Sequence, residues 1–223
     1  MPSAASSAAT SPILDIFDPD LIRGSEHLPY DPVKAYFYVE HPVEGWRVYL
    51  RSGCFIHEAG AHFDAKRFVV VKRTGAHPDS RSWEPPKGQM EGKDGLKHPK
   101  TPIMKILEEN VRREVDEEAH LSPLRNLRHT GIIYQNVEPD FPPNTFFQYH
   151  IFQAYVTPIV INKALEWFAW LEEHPKAFAR MKRDRKEKDA IRWFDPKETQ
   201  MMGRWSPSIV ATYIQRMSGK KRS

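Results

Sequence analysis

The sequence predicts an α/β fold, and three observations carry that reading. Strand-like runs at 34–40, 46–56, 67–72, 127–137 and 145–156 are β-branched, aromatic or alternating, and turn residues bound them. Helix-like stretches lie among them, at about 102–120, 164–173 and 176–188. The apolar content of 40% over 223 residues is enough for a core, in one domain with decorations or at most two small ones.

The elements follow in chain order. The start, 1–11, is rich in Ser and Ala, with no basic residue and no apolar run, and reads as a disordered arm rather than a secretory or transit signal. Residues 13–30 read as loosely structured, broken by Asp-Pro and Leu-Pro pairs. The run 34–40 is a strand candidate closed by His41-Pro42. In 46–56 the apolar residues Trp46, Val48 and Leu50 alternate with Arg47, Tyr49 and Arg51. The run 67–72 is the clearest strand and ends on Lys72 and Arg73. Pro85 and Pro86 then forbid helix, and Gly88 and Gly92 let the chain approach a phosphate or metal closely. Residues 93–102 are polar, basic and irregular, either a lid over a polyphosphate or a solvated loop. Thr101 is the expected cap of the next helix and Pro102 its first residue, with Ser122-Pro123 as the stop. The aromatics in 145–156 are expected in the core more than under a base. Pro175 divides an apolar helix from a basic one.

The chemistry concentrates in Arg113-Glu114-Val115-Asp116-Glu117-Glu118-Ala119-His120-Leu121. On a helix Glu114, Glu117 and Glu118 share one face, while Val111, Val115 and Ala119 form an adjacent apolar column. Each neighbouring pair of like charges costs a few tenths of a kcal/mol on an open surface. A hard dication reverses the sign, because Mg²⁺ takes carboxylate oxygens. Arg113, four residues before Glu117, can hold that carboxylate. A solvated acidic face is the plainer alternative.

These residues, with Pro86-Lys87-Gly88-Gln89-Met90-Glu91-Gly92 upstream, resemble the Nudix box, the signature of Nudix hydrolases. That pattern runs Gly, five residues, Glu, seven residues, Arg-Glu, an apolar residue, any residue, Glu-Glu, any residue, Gly, an apolar residue. Here Asp94 stands where the family has its first Glu. Eighteen residues rather than seven separate Asp94 from Arg113, an eleven-residue insertion, and His120 replaces the family glycine. The resemblance spans about 48–217 and implies an α/β/α sandwich with a mixed sheet and the box helix on one face. It implies a Nudix domain at 46–217 with a helical insertion at about 162–189, closed by a strand at 190–196 and a last helix at 207–217. An arm with one possible strand (1–45) would precede it and a basic tail (218–223) follow.

The resemblance also implies chemistry: hydrolysis of a diphosphate bond. Mg²⁺, with Mn²⁺ as the alternative, would sit on Glu114, Glu117, Glu118 and the Gly88 carbonyl. Glu117, Glu114 and Arg113 are the expected catalytic residues, with Asp94 in support. Lys87, Lys72 and Arg73 are candidates for the substrate phosphates, Lys87 equally a solvated lysine. The general base is left among the box glutamates, Glu138, Glu187 and Asp189. Within the family such entrances occur in enzymes acting on dinucleoside polyphosphates, diphosphoinositols and mRNA caps.

Composition narrows partners only mildly. The net charge of +4 and the basic stretch 176–188 suit a large anion such as capped RNA, or simply a solvated helix. One cysteine, Cys54, allows no internal disulfide and fits a reducing compartment, cytoplasmic or nuclear. No apolar run approaches the roughly 18 residues of a membrane span. The other class of reading is a catalytically inactive Nudix-fold binding or scaffold module, with RNA as its candidate partner.

Overall fold

The computed structural model describes residues 12–77, 79–97, 99–138 and 140–219. Among the described residues nine strands make two sheets. In chain order they are β1 (Ile22–Leu28), β2 (Asp31–Glu40), β3 (Arg47–Glu58), β4 (Val69–Arg73), β5 (Trp83–Glu84), β6 (Lys87–Gln89), β7 (Arg125–Val137), β8 (Thr145–Val156) and β9 (Lys188–Trp193). The larger sheet runs β1-β2-β3-β8-β7, with β6 also on β3, and the smaller runs β5-β4-β9. The larger sheet is mixed: β3 and β8 pair in parallel from Arg47 opposite Thr145 to Glu58 opposite Val156, and its other pairs are antiparallel.

Strand β3 is the spine, and its side chains are buried on both faces, as a centrally placed strand with a parallel neighbour requires. Cys54 and Ile56 point to one face, where they meet Ile103, Leu107, Val111 and Val115 of the long helix α2 (Ile103–Ala119). Phe55 points to the other, where it meets Ile209, Val210 and Tyr213 of α5 (Ser206–Ser218). The Phe55 and Tyr213 rings stack with centroids 3.6 Å apart. Helices therefore cover both faces, giving the expected α/β/α sandwich, and the column Val111, Val115 and Ala119 is fully buried as expected. Among the described residues no helix is long and apolar enough to cross a membrane.

Three expectations change. Residues 13–30 are not a loose arm: they hold β1, which forms a hairpin with β2 at the edge of the larger sheet. Residues just before β1 dock on β7 and β8, where Leu14 N–H donates to Gln135 (3.0 Å) and Gln148 donates to Leu14 O (2.9 Å). Strand β1 was hidden because it is largely polar, contains Gly24 and buries only Leu28, so pairing rather than propensity makes it a strand. The rest of the expected arm, 1–11, lies outside the described residues.

The second change concerns 162–189. Helix α3 starts earlier, at Pro158, and runs to Glu173. The expected basic helix 176–188 is a six-residue α4 (Pro175–Arg180), a 3₁₀ turn (Arg183–Lys186) and the first residue of β9. Long-range ion pairs pin this segment: Arg183 to Asp31 (3.2 Å), Asp184 to Lys34 (2.8 Å) and Arg185 to Asp116 (2.6 Å). Third, the stretch after Gly92 opens with a single helical turn, α1 (Gly92–Gly95), and α2 is preceded by Pro102 with no side-chain cap from Thr101.

His57 ties the layers together. Its Nδ1–H donates to Arg67 O (2.8 Å), and its Nε2 accepts from the Tyr213 hydroxyl (2.6 Å). Burial pushes its pKa down to about 4. The unfolded chain therefore binds a proton between about pH 6.5 and 4 that the folded chain refuses. The contribution of His57 to stability is complete above pH 6.5 and falls by on the order of 3 kcal/mol as pH drops through that window. The urea midpoint of the wild type relative to that of His57→Gln should therefore fall as pH is lowered across it. His150, whose burial pushes it down to about 3, adds a loss of the same sign in both chains.

Candidate active site

Strand β6 carries Lys87, Gly88 and Gln89 along β3, and the start of α2's last two turns faces it. Gly88 is what lets them touch. A Cβ there would stand 1.9 Å from the Glu114 carboxyl carbon, so only glycine admits that carboxylate against the strand backbone. Between them lies a cavity of about 100 Å³, lined by Gly88, Glu114, Glu117, Glu118, Lys87, Gln89 and Glu91, with Lys34 and Tyr36 from β2 and Asp184 and Glu187 from the segment before β9. That volume is several times the roughly 10–15 Å³ that one water requires, enough for an ion with part of its water shell.

Arg113 organises the outer carboxylates. Its guanidinium reaches Glu117 (2.6 Å), Glu114 (2.8 Å) and Asp94 (3.1 Å), with Glu91 farther off at 3.9 Å. Asp94 thus lies against Arg113. It also accepts a hydrogen bond from Glu91 N–H (3.2 Å), which fastens α1 beside the site. The inserted residues after it leave this contact intact.

A second charged unit lies deeper. Glu84, Glu118 and Lys188 are 2%, 4% and 6% exposed. Lys188 Nζ contacts Glu84 and lies 3.0 Å from one Glu118 oxygen. The other Glu118 oxygen accepts from Lys87 N–H (2.9 Å). The Lys87 ammonium pairs with Glu84 (2.9 Å). Both oxygens of Glu118, an expected third metal ligand, are therefore engaged.

The charges are unevenly offset. Burial pushes the Glu114 carboxyl up to about 8; Arg113 pulls it down, while Glu118, Glu117 and Glu187 add to the rise. Burial also acts upward on Glu84, but Lys87 and Lys188 prevail and hold it low. Ionising Glu114 leaves a buried charge that Arg113 only partly offsets, so the carboxyl holds its proton, and a divalent ion with oxygen preference would supply the missing counter-charge. The donor set of carboxylates beside a strand carbonyl fits magnesium or manganese. Among the described residues no three His, Cys, Asp or Glu side chains converge closely enough in this structure to hold a metal ion. Arg113 stands between Glu114 and Glu117, and Lys188 between Glu84 and Glu118.

The other candidates divide clearly. Glu187 lines the cavity. Lys72 does not: it donates to Ala76 O (2.7 Å) and pairs with Asp189 (2.9 Å), which itself accepts from Gly75 N–H (2.8 Å). Those two make a clasp beside the cavity rather than part of its wall, and Arg73 is exposed at the end of β4. Glu138 accepts from Trp205 Nε1–H (3.2 Å) and also stands outside the wall. Lys34, Tyr36, Glu91, Glu84, Asp184 and Lys188 were not singled out for the site from the sequence. Only Lys188 carried a signal, as the end of a basic run, and that signal suggested a solvated charge.

The family model of the NUDIX domain matches residues 54–213. The chain belongs to the Nudix family. Among solved structures, a NUDIX hydrolase from Nitrosomonas europaea is 15% identical with a TM-score of 0.43, covering 78% of this chain and 90% of its own. The NUDIX domain of Shewanella oneidensis NrtR, solved with ADP ribose, is 12% identical with a TM-score of 0.46, covering 80% and 94%. The E. coli ORF135 protein is 9% identical with a TM-score of 0.44, covering 82% and 99%. No curated protein sequence matches.

The Nudix box accounts for His120. That residue closes α2 in the left-handed region at φ 54°, where the family's glycine pays no steric cost. Here the imidazole is held by Arg185 (3.2 Å) and packs edge-on to Trp167 and against Phe168.

Gly88 gives the sharpest test of the Nudix site. In Gly88→Ala the new methyl must expel the Glu114 carboxylate, which sits at the end of a flexible side chain. Manganese binding followed by calorimetry should weaken by about 10-fold or more, while stability stays within about 1 kcal/mol of wild type.

Proposed function

We propose that the chain is a magnesium-dependent pyrophosphohydrolase, cleaving a diphosphate bond in a nucleotide-like or other polyphosphate substrate. The observation that supports it best is the pair Glu114 and Glu117, both gripped by Arg113, with Glu114 packed against Gly88 and short of counter-charge. When bound, the ion polarises the phosphoryl oxygens and offsets their charge. The residues supply the rest. Glu114, Glu117 and the Gly88 carbonyl hold the ion, and Glu118 joins them only if Lys188 releases it. Arg113 fixes the carboxylates in place. Lys87 and Lys34, at the cavity wall, face the substrate phosphates. Glu187, across from Glu114, takes the proton of the attacking water; Glu138 and Asp189 are bound elsewhere and are set aside.

The cavity admits phosphates, so the remainder of the substrate rests outside it. Dinucleoside polyphosphates, diphosphoinositols and mRNA caps all fit that description. Contact with a longer RNA has less support, since Arg183 and Arg185 are spent on Asp31 and Asp116. A second reading, an inactive Nudix-fold binding module, is favoured by one observation: Lys188 and Arg113 already neutralise part of the cluster.

Glu117→Gln separates the two. The proposal expects the variant to keep its fold by circular dichroism and to lose at least about 100-fold of magnesium-dependent phosphate release, equivalent to about 2.7 kcal/mol of transition-state stabilisation. The assay spans dinucleoside polyphosphates, diphosphoinositols, capped RNA and NDP-sugars. Wild-type protein that releases nothing from any of them favours the binding module.

A further inference from the structure

Lys188 is an odd neighbour for a metal ligand. Its ammonium is almost fully buried, touches Glu84 and Glu118, and projects from the first residue of β9. Counted by charge, the inner unit of Glu84, Glu118, Lys87 and Lys188 is neutral without any added ion. The outer carboxylates are not. A cation already seated 3.0 Å from a Glu118 oxygen excludes a second cation from that oxygen, by volume and by repulsion. The other Glu118 oxygen is held by Lys87 N–H.

We propose that Lys188 is a built-in counter-cation that takes the place of a divalent ion at Glu118, leaving Glu114 and Glu117 as the carboxylates that bind added metal. This rests on the metal-dependent reading above. Glu84 is the anchor: it fixes the ammonium from the far side, and Lys87 holds Glu84 in turn. The device makes the metal-free protein stable, because Glu118 keeps a partner when no ion is present. It also sets how many ions the site takes. Lys188 is a positioning residue, acting on the metal through Glu118.

The test is a manganese titration of the full chain, read by electron paramagnetic resonance of free Mn²⁺, on wild type, Lys188→Arg, Lys188→Met and the double variant Glu84→Gln/Lys188→Met. The double variant removes one buried charge of each sign and covers the case in which Lys188→Met does not fold. Lys188→Met and the double variant should bind one further Mn²⁺ per chain, or bind Mn²⁺ at least tenfold more tightly. Mn²⁺ should raise their melting temperature more than it raises that of the wild type. Lys188→Arg should keep the wild-type count. A lysine that only props up the fold would lower the melting temperature without changing the count. Manganese bound by the wild type, with the same count and affinity in every folded variant lacking Lys188, overturns this inference alone. Manganese bound by none of the four chains overturns both the inference and the metal-dependent reading beneath it.

Discussion

The site depends on Arg113. Three glutamates crowded on two turns of a helix repel one another, and burying them raises the cost. Arg113 answers with a planar fork whose nitrogens reach Glu114, Glu117 and Asp94 at once. A lysine has one nitrogen and no fork, and could not hold three carboxylates in fixed directions. Arg113 in turn depends on the core, because α2 is clamped by Val111 and Val115 against β3.

The rest of the site is assembled from afar. The hairpin β1–β2 brings Lys34 and Tyr36, and the segment before β9 brings Asp184 and Glu187. Lys34 joins the two by pairing with Asp184 and, at 3.5 Å, with Glu91. Arg183 on Asp31 and Arg185 on Asp116 brace the same segment from either side. None of these pairs alone counts for much where it is exposed. Together they fix a short loop that has little apolar surface of its own to bury.

Local pattern explains what the sequence made legible. Strands β3, β4, β7 and β8, helix α2 and the faces of Glu114 and Val115 follow from periodicity, which neighbours in sequence determine. The box resemblance supplied Arg113, Gly88 and Asp94; in the structure Arg113 pairs with Asp94, and Gly88 lies against Glu114. Strand β1 escaped because its pairing partner, not its composition, makes it extended. Glu84 and Lys188 escaped for a related reason: 104 residues apart, they meet only through β4, which pairs with both their strands. Lysines 72 and 87 looked alike on paper, and only the fold sent one to Asp189 and the other to the cavity.

The parallel pairing of β3 with β8 bears on how the protein is made. Arg47 must find Thr145 across an intervening stretch that contains the whole box. Closing a loop of roughly a hundred residues costs on the order of 4 kcal/mol of chain entropy before any contact offsets it. On a ribosome β3 has no parallel neighbour until Val156 has emerged, so the completed α2 must wait beside an unfinished sheet. Nascent chains that stall before that point leave the Phe55 face open, because α5, which covers it, is the last helix to be made.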